Sequence, residues 1–289
     1  MSTSANDRHG VLVPEPWVGL VDDAATFPPG DSALPDAVAA HLRRRHEWYA
    51  DLVGTFVVKH GDVPAVASAP LALSVLVSGD PGTSAGVVRG LVTADATIAG
   101  LEVAPTGADD LVEHVHRTVA AITAARRDGD LDDVPVYVEL PVREPTSTWL
   151  DAVDALAVSG MHLKLRTGGL AAAAFPSSPP LAASIAAAVE REVPFKCTAG
   201  LHHAVRHRST EGFEHHGFVN VLVATARAID GAAVEEIAAA LDVRDGAALV
   251  EEARTADLAA ARRRFTSFGS CSVVEPVDDL LALGLLETP

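Results

Sequence analysis

Eight short runs of β-branched and apolar residues recur along the chain with helix-patterned segments between them, and no other feature narrows the fold as far. They are VGLVDDA (18–24), TFVVKH (55–60), ALSVLVSG (72–79), IAGLEVA (98–104), PVYVELPV (135–142), HLKLRTG (162–168), PFKCTAG (194–200) and FVNVLVAT (218–225). Segments between them, such as ALPDAVAAHLRRRHEWYADL and LAASIAAAVEREV, space apolar residues three and four apart, as a helix does. Such alternation builds a parallel sheet, and eight units in series predict an α/β fold closed as a (β/α)8 TIM barrel with a C-terminal helical extension. An open doubly wound sheet competes, but no G-x-G-x-x-G follows an early strand. On this reading residues 1–12 are a flexible N-terminus, 13–245 form the barrel, and 246–289 form a helical extension packed on it. SFGSCS (267–272) reads as a turn-prone connector or as a loop folded over the site.

A formal charge of −17 works against nucleic acid and anionic membrane surfaces as partners, since both need a cationic footprint. Two cysteines, Cys197 and Cys271, do not make a disulfide framework or a cysteine metal cluster. The opening MSTSANDRHG lacks a signal-peptide core, and no run of eighteen apolar residues occurs. A cytoplasmic enzyme of small-molecule metabolism is expected, with homo-oligomerisation left open.

Nineteen arginines and only three lysines, Lys59, Lys164 and Lys196, supply the cations. Two of the three stand mid-strand in similar settings, HLKLRTGG (162–169) and PFKCTAGL (194–201). Arg-over-Lys usage explains the scarcity of lysine but not its placement. What Arg cannot do is nucleophilic amine chemistry, because its guanidinium stays protonated while a buried lysine can lose its proton. In a parallel barrel, chemistry sits at the C-terminal strand ends, and side chains alternate between interior and helix layer. Parity puts Lys164 with Arg166 on strand six, Lys196 with Thr198 on strand seven, and Tyr137 with Glu139 on strand five. Glu102 falls near the end of strand four, and Asp22 and Asp23 at the end of strand one. Three readings stay open: a salt-bridge layer with Glu102, Glu139 and Asp22, an anion-binding cluster, or a lysine kept unprotonated by neighbouring cations for attack on a carbonyl.

The Asp-bearing first strand, the E-V step at 102–103, VYVEL (136–140), K-x-x-T-G from Lys164 and K-x-x-x-G from Lys196 together resemble the deoxyribose-phosphate aldolase group of class I aldolases. The likeness runs in order and spacing from residue 18 to 225. It implies a Schiff base on Lys164, Lys196 as the group that depresses its pKa, and Glu102 as the acidic proton relay. Two departures alter the implied substrate. The family binds phosphate on glycine-rich turns after strands seven and eight, whereas AGLHHAVRH follows strand seven here and FVNVLVAT carries no glycine at its end. Arg166, foreign to the family at that place, is suited to hold a carboxylate in a bidentate pair. The expected function is an aldolase- or lyase-type enzyme working through a lysine Schiff base on a small anionic carbonyl acid. It needs no cofactor and no metal, and Arg166, Thr198, Asp22, Glu139 and Asn220 line the substrate.

Five of the twelve histidines fall in LHHAVRHRSTEGFEHHG (201–217), after strand seven. His202 or His203 would serve general acid–base chemistry, since imidazole titrates near neutrality. Packing roles are the plain alternative. A metal-dependent hydrolase or lyase is the other, with His203 and His207 on one helical face and His202, Asp22 or Asp23 completing the set. H-E-x-x-H is absent, and the neighbouring cations would repel a metal. His215 and His216 are expected at the bottom of strand eight unless the segment before them is itself a long loop, and His41 on a helix surface. Asn220 is placed inside the barrel, orienting a substrate oxygen or making a buried hydrogen bond. A non-catalytic barrel that binds an anionic metabolite completes the set of functional readings.

Overall fold

The computed structural model describes residues 13–78, 96–104, 111–127 and 133–289. The N-terminus expected to fray (1–12) lies outside them. Eight parallel strands, β1 (Val21–Asp23), β2 (Val53–Lys59), β3 (Ala72–Ser78), β4 (Thr97–Ala104), β5 (Val136–Leu140), β6 (His162–Arg166), β7 (Phe195–Thr198) and β8 (Phe265–Ser270), close into a barrel in chain order, β8 pairing with β1. Seven of the eight predicted runs coincide with these strands. Their side chains alternate as a barrel requires: Leu163 and Leu165 of β6, and Phe195 and Cys197 of β7, are fully buried toward the helices.

The helices outside are α1 (Leu34–Arg44), α2 (Val63–Val66), α3 (Leu111–Arg127), α4 (Ser147–Ser159), α5 (Ser178–Glu190), α6 (Phe218–Ile229), α7 (Val234–Asp242), α8 (Gly246–Thr255), α9 (Leu258–Arg262) and α10 (Val274–Ala282). Local chemistry sets several ends. Thr146 caps α4 by accepting the Trp149 amide at 3.2 Å, and Gly160 ends it in the left-handed region at φ 64°. Asp245 and Asp257 cap α8 and α9 in the same way. The stretch Ala172–Glu190 is long and apolar enough by composition to cross a membrane. Its helix α5 instead spends Leu181, Ala182, Ile185 and Ala188 on the interior of the fold, where all four are fully buried.

The eighth strand is not where the sequence pattern puts it. FVNVLVAT lies in helix α6, and the barrel closes with Phe265–Ser270, so the domain boundary at 245 is wrong. The barrel continues past it, 246–264 form helices between β7 and β8, and α10 alone follows the last strand. The reason is burial on all sides. Every residue from Phe218 to Ala226 is buried because α6 lies between β8 and the outer helices α7 and α8, and a run buried on every side has almost no polar face to mark it as a helix. The true strand looks polar because its inner face meets charge. Phe268 stacks on Phe218 of α6 at 4.9 Å and Phe265 on Phe195 at 5.4 Å, whereas Ser267 points inward. A register shift between Phe265 and Ser267 lets Thr266 turn inward as well, to the Tyr137 hydroxyl at 3.0 Å.

Candidate active site

Lys164 and Lys196 are register partners on adjacent strands, and their ammonium groups are buried inside the barrel, the residues 4% and 1% exposed. Their glycine-bearing strand ends explain the similar settings. A Cβ on Gly168 would lie 2.7 Å from the Gly200 Cα, and Gly200 itself has φ +77°, so β6 and β7 leave the barrel backbone against backbone. The Thr167 amide donates to the Thr198 carbonyl at 2.9 Å and fastens the two exits.

Three carboxylates from three other strands meet the amines. Lys196 Nζ donates to Asp22 Oδ2 at 2.6 Å and Glu102 Oε1 at 2.7 Å. Lys164 Nζ lies 2.9 Å from Glu102 Oε2 and 3.2 Å from Glu139 Oε2. Glu102 therefore stands between the lysines, one oxygen to each. Ser74 Oγ of β3 also donates to Glu102 Oε1 at 2.9 Å. Asp22 is held by the Thr55 amide at 2.8 Å, the Thr55 hydroxyl at 2.7 Å and Ser267 Oγ at 2.6 Å. Gly54 leaves room for this carboxylate, since a Cβ there would lie 2.6 Å from Asp22 Oδ1. The Tyr137 ring lies 5.2 Å beneath Lys196 Nζ.

Of the three readings of this cluster, the geometry is that of the salt-bridge layer with Asp22, Glu102 and Glu139, without Arg166. Repulsion that discharges one lysine is corrected, because the interior is not cation-rich: each amine has two carboxylate partners. Burial by itself would raise the Glu102 pKa, but Lys164 and Lys196 override it and hold the carboxyl well below the usual range. Burial would likewise lower Lys196, but Asp22 and Glu102 hold its ammonium far above the ordinary lysine value. Lys196 is thus a fixed positive charge.

Other expectations divide. Thr198 sits on the Lys196 face at the end of β7, partly exposed at the mouth. Arg166 joins no ion pair among the described residues: it is exposed, and its Nε donates to the Gly168 carbonyl at 3.0 Å. Asp23 points away from the interior, where His41 Nδ1 at 3.0 Å and Arg44 at 2.6 Å clamp it to α1; His41 is accordingly buried and not on a helix surface. Asn220 lies in α6, outside the barrel interior. Its Oδ1 accepts the Arg206 amide and its Nδ2 donates to the Ala240 and Val243 carbonyls, each at 2.8 Å, so it ties the loop after β7 to α7.

The histidines occupy a loop, 199–217, that carries a two-residue antiparallel ladder between His207–Arg208 and Glu214–His215. His203 and His207 share no helix, and His215 and His216 belong to this loop and not to the foot of a strand. His202 Nδ1 donates to Glu275 Oε2 at 3.0 Å and His203 Nδ1 to Asp279 Oδ2 at 3.1 Å, so both are tied to α10. Burial lowers the pKa of His202 against the pull of Glu275, and burial beside Arg206 lowers His216 to about 4. No group of three or more potential metal ligands converges among the described residues. The residues that pattern reading missed are Thr55, Ser74 and Ser267. The only signal was a hydroxyl inside an otherwise apolar strand, as in ALSVLVS.

A glycine also stands near the end of the true eighth strand. Gly269 is in register with Thr198 and Asp22, so the inference that glycine is missing there fell with the strand assignment.

These features define a (β/α)8 barrel with a buried lysine–carboxylate layer inside it. No protein-family model matches the sequence, and no curated protein does. Among solved structures the chain is similar to an apo-form protein assigned as a deoxyribose-phosphate aldolase from Toxoplasma gondii ME49. The identity is 12% and the TM-score 0.53, over 95% of this chain and 96% of that one. A citrate lyase from Burkholderia xenovorans LB400 aligns at 17% identity and TM-score 0.44, over 85% and 82% of the two chains. The first likeness runs over nearly the full length of both chains and shows the fold, a (β/α)8 barrel.

Proposed function

We propose that this barrel is a lyase of the aldolase kind that binds a small anionic carbonyl compound as an imine on Lys164. The observation that carries the reading is the asymmetry between two buried, in-register lysines. Lys196 is locked as an ammonium by two short contacts, whereas Lys164 has the longer pair of carboxylate contacts, at 2.9 and 3.2 Å. A nucleophile must shed its proton, and a fixed neighbouring charge stabilises the electrons that develop in carbon–carbon cleavage. Lys164 is assigned the first role and Lys196 the second. Arg166 at the strand end is available to a substrate anion, and carboxylate and phosphate both suit a guanidinium there. The reaction draws on protein side chains alone, and the setting assigned to it is cytoplasmic.

The test is reductive trapping. Incubation with pyruvate, glyoxylate or glyceraldehyde 3-phosphate and sodium cyanoborohydride should leave a stable mass increment on Lys164, absent from Lys164→Met. An increment on Lys196 reverses the assignment. No increment with any probe, together with a rise in melting temperature on adding the same anions, leaves a binding barrel without imine chemistry.

A further inference from the structure

Glu102 is the carboxylate that sequence motifs cast as the proton relay, and its surroundings unfit it for the task. One oxygen accepts from Ser74 and Lys196, the other faces Lys164, and both lysines stabilise its charged form. A carboxylate so strongly acidified is a poor base, because a proton placed on it, even one taken from Lys164, would leave the buried Lys196 ammonium with Asp22 alone. Glu139 differs. It sits on β5 in register with Lys164, and its Oε2 is buried 3.2 Å from Lys164 Nζ with no hydrogen-bond partner. Its Oε2 is paired with Lys164 by charge alone, without an aligned hydrogen bond, whereas both Glu102 oxygens are engaged, so the fold keeps an unsaturated acceptor beside the amine. The Glu139 side chain is also 18% exposed against 3% for Glu102, which leaves it within reach of a molecule entering the mouth.

We propose that Glu139 is the acid–base catalyst of imine formation at Lys164, a role that rests on the imine reading above. The Lys164 ammonium passes a proton to the Glu139 carboxylate. The neutral amine then attacks the carbonyl carbon, forming the C–N bond while the C=O π pair moves to oxygen. A proton moves from nitrogen to that oxygen, giving the carbinolamine. Protonated Glu139 delivers its proton to the hydroxyl, which leaves as water while the nitrogen lone pair closes the C=N bond. Carbonyl and ammonium have become protonated imine and water, and Glu139 is again a carboxylate. The iminium carries the same single positive charge as the ammonium it replaces, so Glu102 and Glu139 keep a cation between them, and its one remaining N–H can be donated to only one of the two.

The experiment measures the rate of adduct formation on Lys164 with pyruvate, at cyanoborohydride concentrations high enough that the rate no longer depends on the reductant. Glu139→Gln should slow it by roughly a hundredfold or more, the usual scale for one acid–base group. Formate should restore part of the rate to Glu139→Gly, which a structural role would not predict. With the wild-type adduct in hand, equal rates in wild type and Glu139→Gln overturn the role of Glu139. Should Glu139→Gln not fold, Glu139→Asp withdraws the carboxylate by one methylene and should trap roughly tenfold more slowly; an unchanged rate there overturns it equally. No adduct in the wild type sinks the imine reading itself, a result distinct from either.

Discussion

Glu102→Gln is the perturbation that bears most directly on the lysine–carboxylate layer. The side chain keeps its size and loses only its charge, yet that charge is the shared partner of Lys164 at 2.9 Å and Lys196 at 2.7 Å. Asp22 and Glu139 would then have to compensate one buried ammonium each. The Gln amide nitrogen would turn a donor toward Lys164 in one orientation, or toward both Lys196 and the Ser74 hydroxyl in the other. Breaking a buried pair from one side costs roughly 3–5 kcal/mol. At about 2.1 cal/mol/K per residue, a chain of 289 residues has a melting entropy of roughly 0.6 kcal/mol/K, so the melting temperature should fall by roughly 5–8 °C. Differential scanning calorimetry at pH 7 reads this. The sign with pH is a second check. Glu102 is lower in the folded protein than its ordinary 4.5, so its contribution is complete above that pH and is lost as pH falls below it. The gap between wild type and variant should therefore narrow on acidification below about 4.5. A variant that melts within about 1 °C of wild type at pH 7, or a gap that stays constant into acid, would refute the reasoning.

Three further outcomes are expected. His216, fully buried and lowered from 6.5 to about 4, must fold neutral, with Nε2–H on the Pro176 carbonyl and Nδ1 accepting from Arg206. Stability should fall by roughly 3 kcal/mol from this group as pH drops from 6.5 to about 4, and urea titrations of His216→Phe should show a correspondingly shallower slope. Gly200→Ala combines φ +77° with a Cβ 3.0 Å from both the Gly168 Cα and the Thr167 carbonyl oxygen, and should cost roughly 2–3 kcal/mol in chemical denaturation. Gly231→Ala, at φ +80° with open space around it, should cost only the conformational part, roughly 1–2 kcal/mol; equal losses at the two sites would mean that the β6–β7 contact is unimportant. Asn220→Leu strands one amide and two carbonyls at the junction of the loop after β7 with α7 and should lower stability by roughly 3–5 kcal/mol. It should nevertheless leave Lys164 trapping intact in the folded fraction, and selective loss of the adduct would return Asn220 to the substrate.

The sequence by itself determined the architecture and the two lysines. Strands with one apolar face toward the helices keep a period of two, and helices with one apolar stripe keep theirs, so seven strands and the placement of Lys164 and Lys196 on inward-facing positions were readable from order and parity alone. Two things escaped it, each for a physical reason. Phe218–Ala226 of helix α6 are buried on every side, so FVNVLVAT has almost no polar face to mark it as a helix, while β8 turns Ser267 toward Asp22 and so lacks the apolar look of a barrel strand. Which charges neutralise which also depends on angstroms that spacing does not encode. Tertiary closure alone put Glu102 between two amines, turned Asp23 outward onto His41 and Arg44, and left one oxygen of Glu139 beside Lys164 without a hydrogen bond. Electrostatic energy in a dry interior is set by those separations and not by residue order.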